Sequence, residues 1–253
     1  MRVTLLDTGR MTIDRSQVLW NVDCGTKLWF PIYAVLVEHP DGLFLFDTGV
    51  DPDHVRAAFP WERIEQTPEQ RLEAQLRSAG ASPDDVTHLV NSHLHFDHVG
   101  ANRLLRGART FVAEAELRAA RAPQPFEALA YSDRSFEEAS AFELLEGDVE
   151  LAHGLRLYAT PGHCAGHYSL LVDGDAEHRS MLFTFDAAYS LENLEREIIS
   201  GFHLDPIAAT ESIRRLKALA AEHDAELFVA HDLPAFAGYR RAPDAYELSG
   251  VPA

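Results

Sequence analysis

Residues 92–100 read Ser-His-Leu-His-Phe-Asp-His-Val-Gly, which puts three imidazoles and a carboxylate between His93 and His98. Neutral imidazole nitrogens and carboxylate oxygens are the donors that hold Zn²⁺ and its first-row neighbours. A single histidine is ordinarily a surface or packing residue. Four such groups gathered at the end of an apolar strand would be poorly satisfied without a shared partner. In an extended segment residues i and i+2 face the same way, so His93 and His95 are expected to address one ion. The turn that follows is expected to swing Asp97 and His98 toward a second. Two dications about 3.5–4 Å apart make a hydrolytic device: a water shared between them loses a proton near neutral pH, and the ions polarise a carbonyl and receive a leaving oxygen. Ester-like hydrolysis is the reaction class this chemistry favours.

The loop needs rigid elements on either side. Val86 to Asn91 reads as a short apolar strand, so the loop begins where a strand leaves the core, a usual place for a site. Pro31 to Val37 and Leu43 to Phe46 read as a hairpin across Pro40-Asp41-Gly42, ended by Asp47-Thr48-Gly49. Residues 68–79 carry Leu72, Leu76 and Ala79 on one helical face, with Pro68 in the first turn and Gly80 as the stop. In the second half, strands Leu155 to Ala159 and His167 to Val172 flank Thr160-Pro161-Gly162-His163. Met181 to Phe185 ends at Asp186, Ile207 to His223 reads as an amphipathic helix, and Leu227 to Ala230 ends at His231. This order predicts an α/β architecture of two sheets packed face to face with helices outside. No linker interrupts it, so one domain over 1–253 is expected.

Composition narrows the partners. Forty acidic against 22 basic residues give a net charge of −18, which repels phosphate backbones and anionic membrane surfaces. Neither nucleic acid nor a membrane is an expected partner. Cys24 and Cys164 are too few for a disulfide framework, which suits a reducing compartment. The opening MRVTLLDTGRMTID has no apolar stretch of signal-peptide length, and no later segment reaches the ~20 apolar residues of a span. A cytoplasmic location is therefore expected.

The H-x-H-x-D-H pattern resembles that of the metallo-β-lactamase superfamily. His163 in TPGHCAGH, Asp186 in FTFDAAY and His231 in FVAHD match, in order and context, the remaining ligands of that family. The resemblance implies an αββα sandwich of two mixed sheets flanked by helices. It also implies that His93, His95 and His163 hold one ion, that Asp97, His98 and His231 hold another, and that Asp186 bridges the two. The donor set suits two Zn²⁺ per chain, with Fe, Mn or Co as other occupants.

Within the family, what accompanies the ligands points to a branch. A cysteine ligand and secretion signal would mark the best-known β-lactamases, a glutamate in place of His95 the flavodiiron proteins, and basic surfaces the RNA-processing members. Glyoxalase II-like thioesterases extend further beyond the last histidine. The chain is most similar to the lactonase branch, in which Tyr189 falls where a tyrosine contacts the substrate carbonyl and Asp97 is placed to pass a proton to the leaving oxygen. The stretches at 30–49, 123–136 and 202–227 resemble the 4-pyridoxolactonases, although residues 136–146 form a shorter segment than theirs. The expected substrate is accordingly 4-pyridoxolactone, a small-molecule lactone of vitamin B6 breakdown. The N-acyl-homoserine lactonases of quorum quenching are the alternative, ahead of a thioesterase or a non-catalytic metal-binding module. A homodimer is left open. Trp20, Trp29, Phe30, Tyr131 and Phe202 are candidate pocket walls, each with core packing as the plainer role. Cys164 reads as a buried thiol without a task, and His153, His178 and His223 read as surface.

Overall fold

The computed structural model describes residues 1–136 and 141–248, so residues 137–140 of the shortened segment lie outside the described residues. The strands of the first sheet are β1 (Arg2–Asp14), β2 (Lys27–His39), β3 (Gly42–Phe46), β4 (Ile64–Glu65), β5 (His88–Val90), β6 (Arg109–Ala113) and β7 (Phe142–Leu145). The second sheet contains β8 (Val149–Ala152), β9 (Leu155–Ala159), β10 (Tyr168–Val172), β11 (Ser180–Phe185) and β12 (Ala225–Val229), and β13 (Tyr246–Glu247) returns to the first. The first sheet runs β13-β1-β2-β3-β5-β6-β7 with β4 beside β1, and the second runs β12-β11-β10-β9-β8. Both are mixed: β3, β5, β6 and β7 are parallel neighbours, as are β11 and β12, and the other pairings are antiparallel.

Alternation along β2 shows why two sheets stack. Val35 and Val37 point into the interface, where they meet Phe44, Phe46, Leu170 and Phe183. Ala34 and Leu36 point the other way, onto Leu72 and Leu76 of helix Leu72–Ser78. On the far side, Leu171, Leu182 and Val229 are covered by Ile213 and Leu216 of helix Pro206–Glu222. The layers therefore run helix, sheet, sheet, helix, as expected. Strands covered on both faces read as near-continuous apolar runs, which is why the hairpin was conspicuous in the sequence.

The helix expected over 68–79 is broken. Pro68–Gln70 forms a 3₁₀ turn, Arg71 is extended at ψ 143, and the α-helix begins at Leu72. The cause is tertiary. The Gln70 side chain accepts from the Thr67 N–H and donates to Asp7 Oδ1, while Gln75 Oε1 accepts from the Asp7 N–H. Gly80 does end the helix, at φ +86. Strand β1 went unread because a bulge between Asp7 and Gly9 breaks its alternation. Gly9 has φ +126, and a Cβ there would press on the Glu65 carbonyl, so the bulge demands glycine. Among the described residues, no helix is long and apolar enough to cross a membrane.

Candidate metal centre

β5 stops at Val90, so His93 and His95 stand beyond it in a loop, not within an extended strand as expected. Buried polar anchors take over the strand's work. The Ser92 N–H and Oγ–H donate to Asp47 at 2.8 and 2.7 Å, and the Ser92 carbonyl accepts from the Tyr168 N–H. The Leu94 N–H donates to Glu116 Oε1, and His95 makes one bridge to Tyr131. The chain then turns, the His98 and Val99 N–H groups both donating to the His95 carbonyl, and Asp97 and His98 face the second position. The other three expected residues arrive from the second sheet: His163 after β9, Asp186 after β11 and His231 after β12. Gly162, at φ +124, lies so close to the Ala209 backbone that a Cβ would collide with it, which seats the His163 loop on helix Pro206–Glu222.

All seven residues converge in two groups, His93, His95 and His163 in one and Asp97, His98, Asp186 and His231 in the other, with donor atoms within 4.8 Å of one another inside each. Asp186 faces both. Its Oδ2 lies 3.9 Å from His93 Nε2 and 3.4 Å from His163 Nε2, while its Oδ1 lies 3.0 Å from His98 Nε2 and 3.1 Å from His231 Nε2. Asp97 Oδ2 is 3.6 Å from His231 Nε2. His95 Nδ1 and His163 Nε2 lie 2.9 Å apart.

The residues fit a pair of cations. His93 Nε2, His95 Nε2, His98 Nε2, His231 Nε2 and Asp186 Oδ1 are all buried without a hydrogen bond, a costly arrangement that a shared cation relieves. The opposite ring nitrogens are engaged: His98 Nδ1 with Asp47 at 2.7 Å, His93 Nδ1 with Ser92 Oγ, His163 Nδ1 with the Phe202 carbonyl and His231 Nδ1 with the Pro31 carbonyl. Such bonds fix the tautomer and leave Nε2 as the free donor. Burial, with neighbouring imidazoles, holds His93 and His95 well below the ordinary histidine range, so their lone pairs stay available. Burial would likewise lower His98 and His231, but the carboxylates around them, Asp186 foremost, raise both. Burial alone would raise Asp186; His231 and His98 pull it well below the carboxylate range.

Three supporting groups were not read as site residues. Asp47, where β3 ends, is fully buried between Ser92 and His98. The signal for it in the sequence is an acid closing an apolar strand, which a turn explains equally well. His167, kept neutral by burial, accepts from the Asp186 N–H through Nε2 and bonds Thr160 Oγ1 through Nδ1. Glu116, also fully buried, accepts from the Leu94 N–H, the Gly166 N–H and the Tyr131 hydroxyl, and so ties the two ligand loops together. Cys164 is buried against it, as a structural thiol should be. His153 and His178 are exposed, whereas His223 is half-buried against the Tyr158 hydroxyl.

A cleft of about 370 Å³ opens onto His95, Asp97, Asp186 and Tyr189. Phe30 and Phe202 line it, as do Met11, Phe59, Trp61 and Phe126, which carried no sequence signal. Trp29 instead lies beneath Arg10 and Arg63, Tyr131 packs on His95, and Trp20 packs on His203. Tyr189 is buried with its ring edge-on to His231, and burial together with Asp186 and Asp97 raises its hydroxyl well above the usual phenol range. The phenol therefore stays protonated and able to donate.

Comparison with known proteins places this geometry. Residues 28–231 match the Metallo-beta-lactamase superfamily. The chain is 31% identical to an N-acyl homoserine lactonase of Bacillus cereus, covering 96% of this chain and 98% of that enzyme. It is 29% identical to N-acyl homoserine lactonase AttM of Rhizobium radiobacter, over 97% and 98% of the two lengths. A solved N-acyl homoserine lactone hydrolase, with the product N-hexanoyl-L-homoserine at its catalytic metal center, superposes with a TM-score of 0.86 at 30% identity, over 97% of this chain and 98% of that one.

Proposed function

The chain belongs to the metallo-β-lactamase superfamily and is a metal-dependent lactonase, and from that premise we propose that its substrates are N-acyl-homoserine lactones. This reverses the order of substrates expected from the sequence, in which 4-pyridoxolactone came first. The observation that carries the proposal is the cleft beside the seven-residue cluster, walled by Met11, Ile13, Phe30, Phe59, Trp61 and Phe126. An apolar wall of that extent suits a flexible acyl tail. A flat pyridine-fused lactone would leave much of that wall uncovered. The named relatives are N-acyl homoserine lactonases, which supports the same order.

In this proposal His93, His95 and His163 would hold one ion and Asp97, His98 and His231 the other, with Asp186 facing both groups; Zn²⁺ would suit these donors. Such a pair supplies Lewis acidity toward the ester carbonyl and a nucleophilic water at neutral pH. The chain's own groups do the rest. Tyr189 Oη–H donates to the lactone carbonyl oxygen as negative charge gathers there. Asp97 would take the proton that the attacking water gives up and pass it to the ring oxygen as it leaves. The aromatic wall orients the tail.

Substrate choice is tested by measuring kcat/KM for an acyl-homoserine lactone series and for 4-pyridoxolactone on metal-replete protein. A preference of roughly tenfold or more for the acyl-homoserine lactones is expected, from tail burial of the order of 1.4 kcal/mol or greater. Faster turnover of 4-pyridoxolactone would restore the sequence-based order. Tyr189→Phe is expected to lower kcat by roughly 10- to 1000-fold, the span of a lost oxyanion donor. Unchanged kcat in a variant with full metal content would remove the phenol from the reaction.

A further inference from the structure

We propose that Gln17 is a specificity-determining residue that reads the amide of the substrate's N-acyl group, an inference that rests on the acyl-homoserine lactone reading above. Two cavities meet at the metal cluster. The apolar cleft of about 370 Å³ and a smaller one of about 230 Å³, lined by Glu127, His163 and His203, share Gln17, His95, Phe126 and Phe202. Of those four, His95 belongs to the ligand cluster and two are phenylalanines. Gln17 is thus the one neutral hydrogen-bonding side chain at the junction, half-buried, and its carboxamide has no hydrogen-bond partner among the described residues.

The backbone beneath it is held firmly. Gln17 lies in the helical turn Arg15–Val18, capped by Asp14, which accepts from the Ser16 N–H and Oγ–H and from the Gly25 N–H. The Gln17 carbonyl accepts from the Gly201 N–H at 2.8 Å, and the next carbonyl, that of Val18, accepts from the Asn193 amide. A Cβ on Gly201 would run into the Ser16 carbonyl, so the two segments touch. The turn fixes where this side chain starts, so recognition has only the carboxamide's own torsions left to order.

The chemistry of the junction matches one part of the substrate. In an N-acyl-homoserine lactone the amide sits between ring and tail. With the lactone carbonyl beside Tyr189 and the tail along the aromatic wall, the amide falls between His95 and the apolar arm. A carboxamide has both a donor and an acceptor, the complement of an amide's carbonyl and N–H. A site that hydrogen-bonds a substrate group discriminates against analogues that lack it, because its own polar atoms are then left unpaired.

The test compares two substrates on wild-type protein and on Gln17→Leu, with Gln17→Met as the unbranched second variant should leucine disturb the turn. One substrate is N-octanoyl-homoserine lactone; the other is a γ-alkyl-γ-lactone of similar length with no amide. The readout is the ratio of their kcat/KM values. The variants should lower that ratio by roughly 10- to 100-fold, chiefly through KM for the acyl-homoserine lactone. An unchanged ratio, whether both activities fall together or neither does, overturns the inference. A wild-type enzyme that turns over the γ-lactone but no acyl-homoserine lactone sinks the substrate reading first, and this inference with it.

Discussion

Asp186→Ala is expected to strip the protein of both ions at once and to abolish most turnover. Asp186 Oδ2 addresses His93 and His163 while Oδ1 addresses His98 and His231, so no other carboxylate in the cluster serves both groups. Elemental analysis should find close to two metals per wild-type chain and near none in the variant. Losing several kcal/mol of charge stabilisation corresponds to a fall in kcat/KM on the order of 1000-fold or more. Stability should move in step, since an ion at 1000 times its Kd adds about 4 kcal/mol to the folded state. Chelated wild type and variant should therefore melt at similar temperatures, both below the loaded protein. A variant that kept one full equivalent of metal would show that Asp186 does not bridge.

Asp97→Asn separates holding an ion from moving a proton. Asparagine keeps the volume and one oxygen donor, and Asp97 Oδ2 is 3.6 Å from His231 Nε2 in a cleft shared with Tyr189. What the change removes is a carboxylate able to carry a proton to the leaving oxygen. With metal content largely retained, kcat should fall by roughly 100- to 10,000-fold, the usual contribution of a positioned acid or base. A lactone with a better leaving oxygen should lose less. Full activity at full metal content would take Asp97 out of proton transfer and leave it a ligand alone.

The cluster was readable in the chain because metal chemistry accepts few side chains. His93, His95, Asp97 and His98 lie together in sequence, whereas His163, Asp186 and His231 stand out only by their likeness to the metallo-β-lactamase pattern, each after a segment that reads as a strand. The substrate was less legible. The stretches at 30–49 and 202–227 that favoured 4-pyridoxolactone lie in β2, β3 and helix Pro206–Glu222, where sheet and helix packing dictate much of the sequence. The residues that wall the cleft, among them Phe59, Trp61 and Phe126, lie mostly in irregular segments whose spacing carries no period. Gln17 had no sequence signal at all: a glutamine in a four-residue turn is ordinary until two cavities are seen to meet at it.

By itself, then, the sequence determined the clustered candidate donors His93, His95, Asp97 and His98, the layered α/β architecture and the class of chemistry, because each depends on residue type and short-range period. Tertiary structure decided the rest. It showed that the two carboxylate oxygens of Asp186 face different ligand groups, that Asp47, Glu116 and His167 hold the ligand loops through buried hydrogen bonds, and that the loop after β5 converges without being a strand. It broke the helix at Arg71 by drawing Gln70 toward Asp7. The reason is common to all of these: each is a contact between segments far apart in the chain, and only packing specifies which distant donor meets which acceptor.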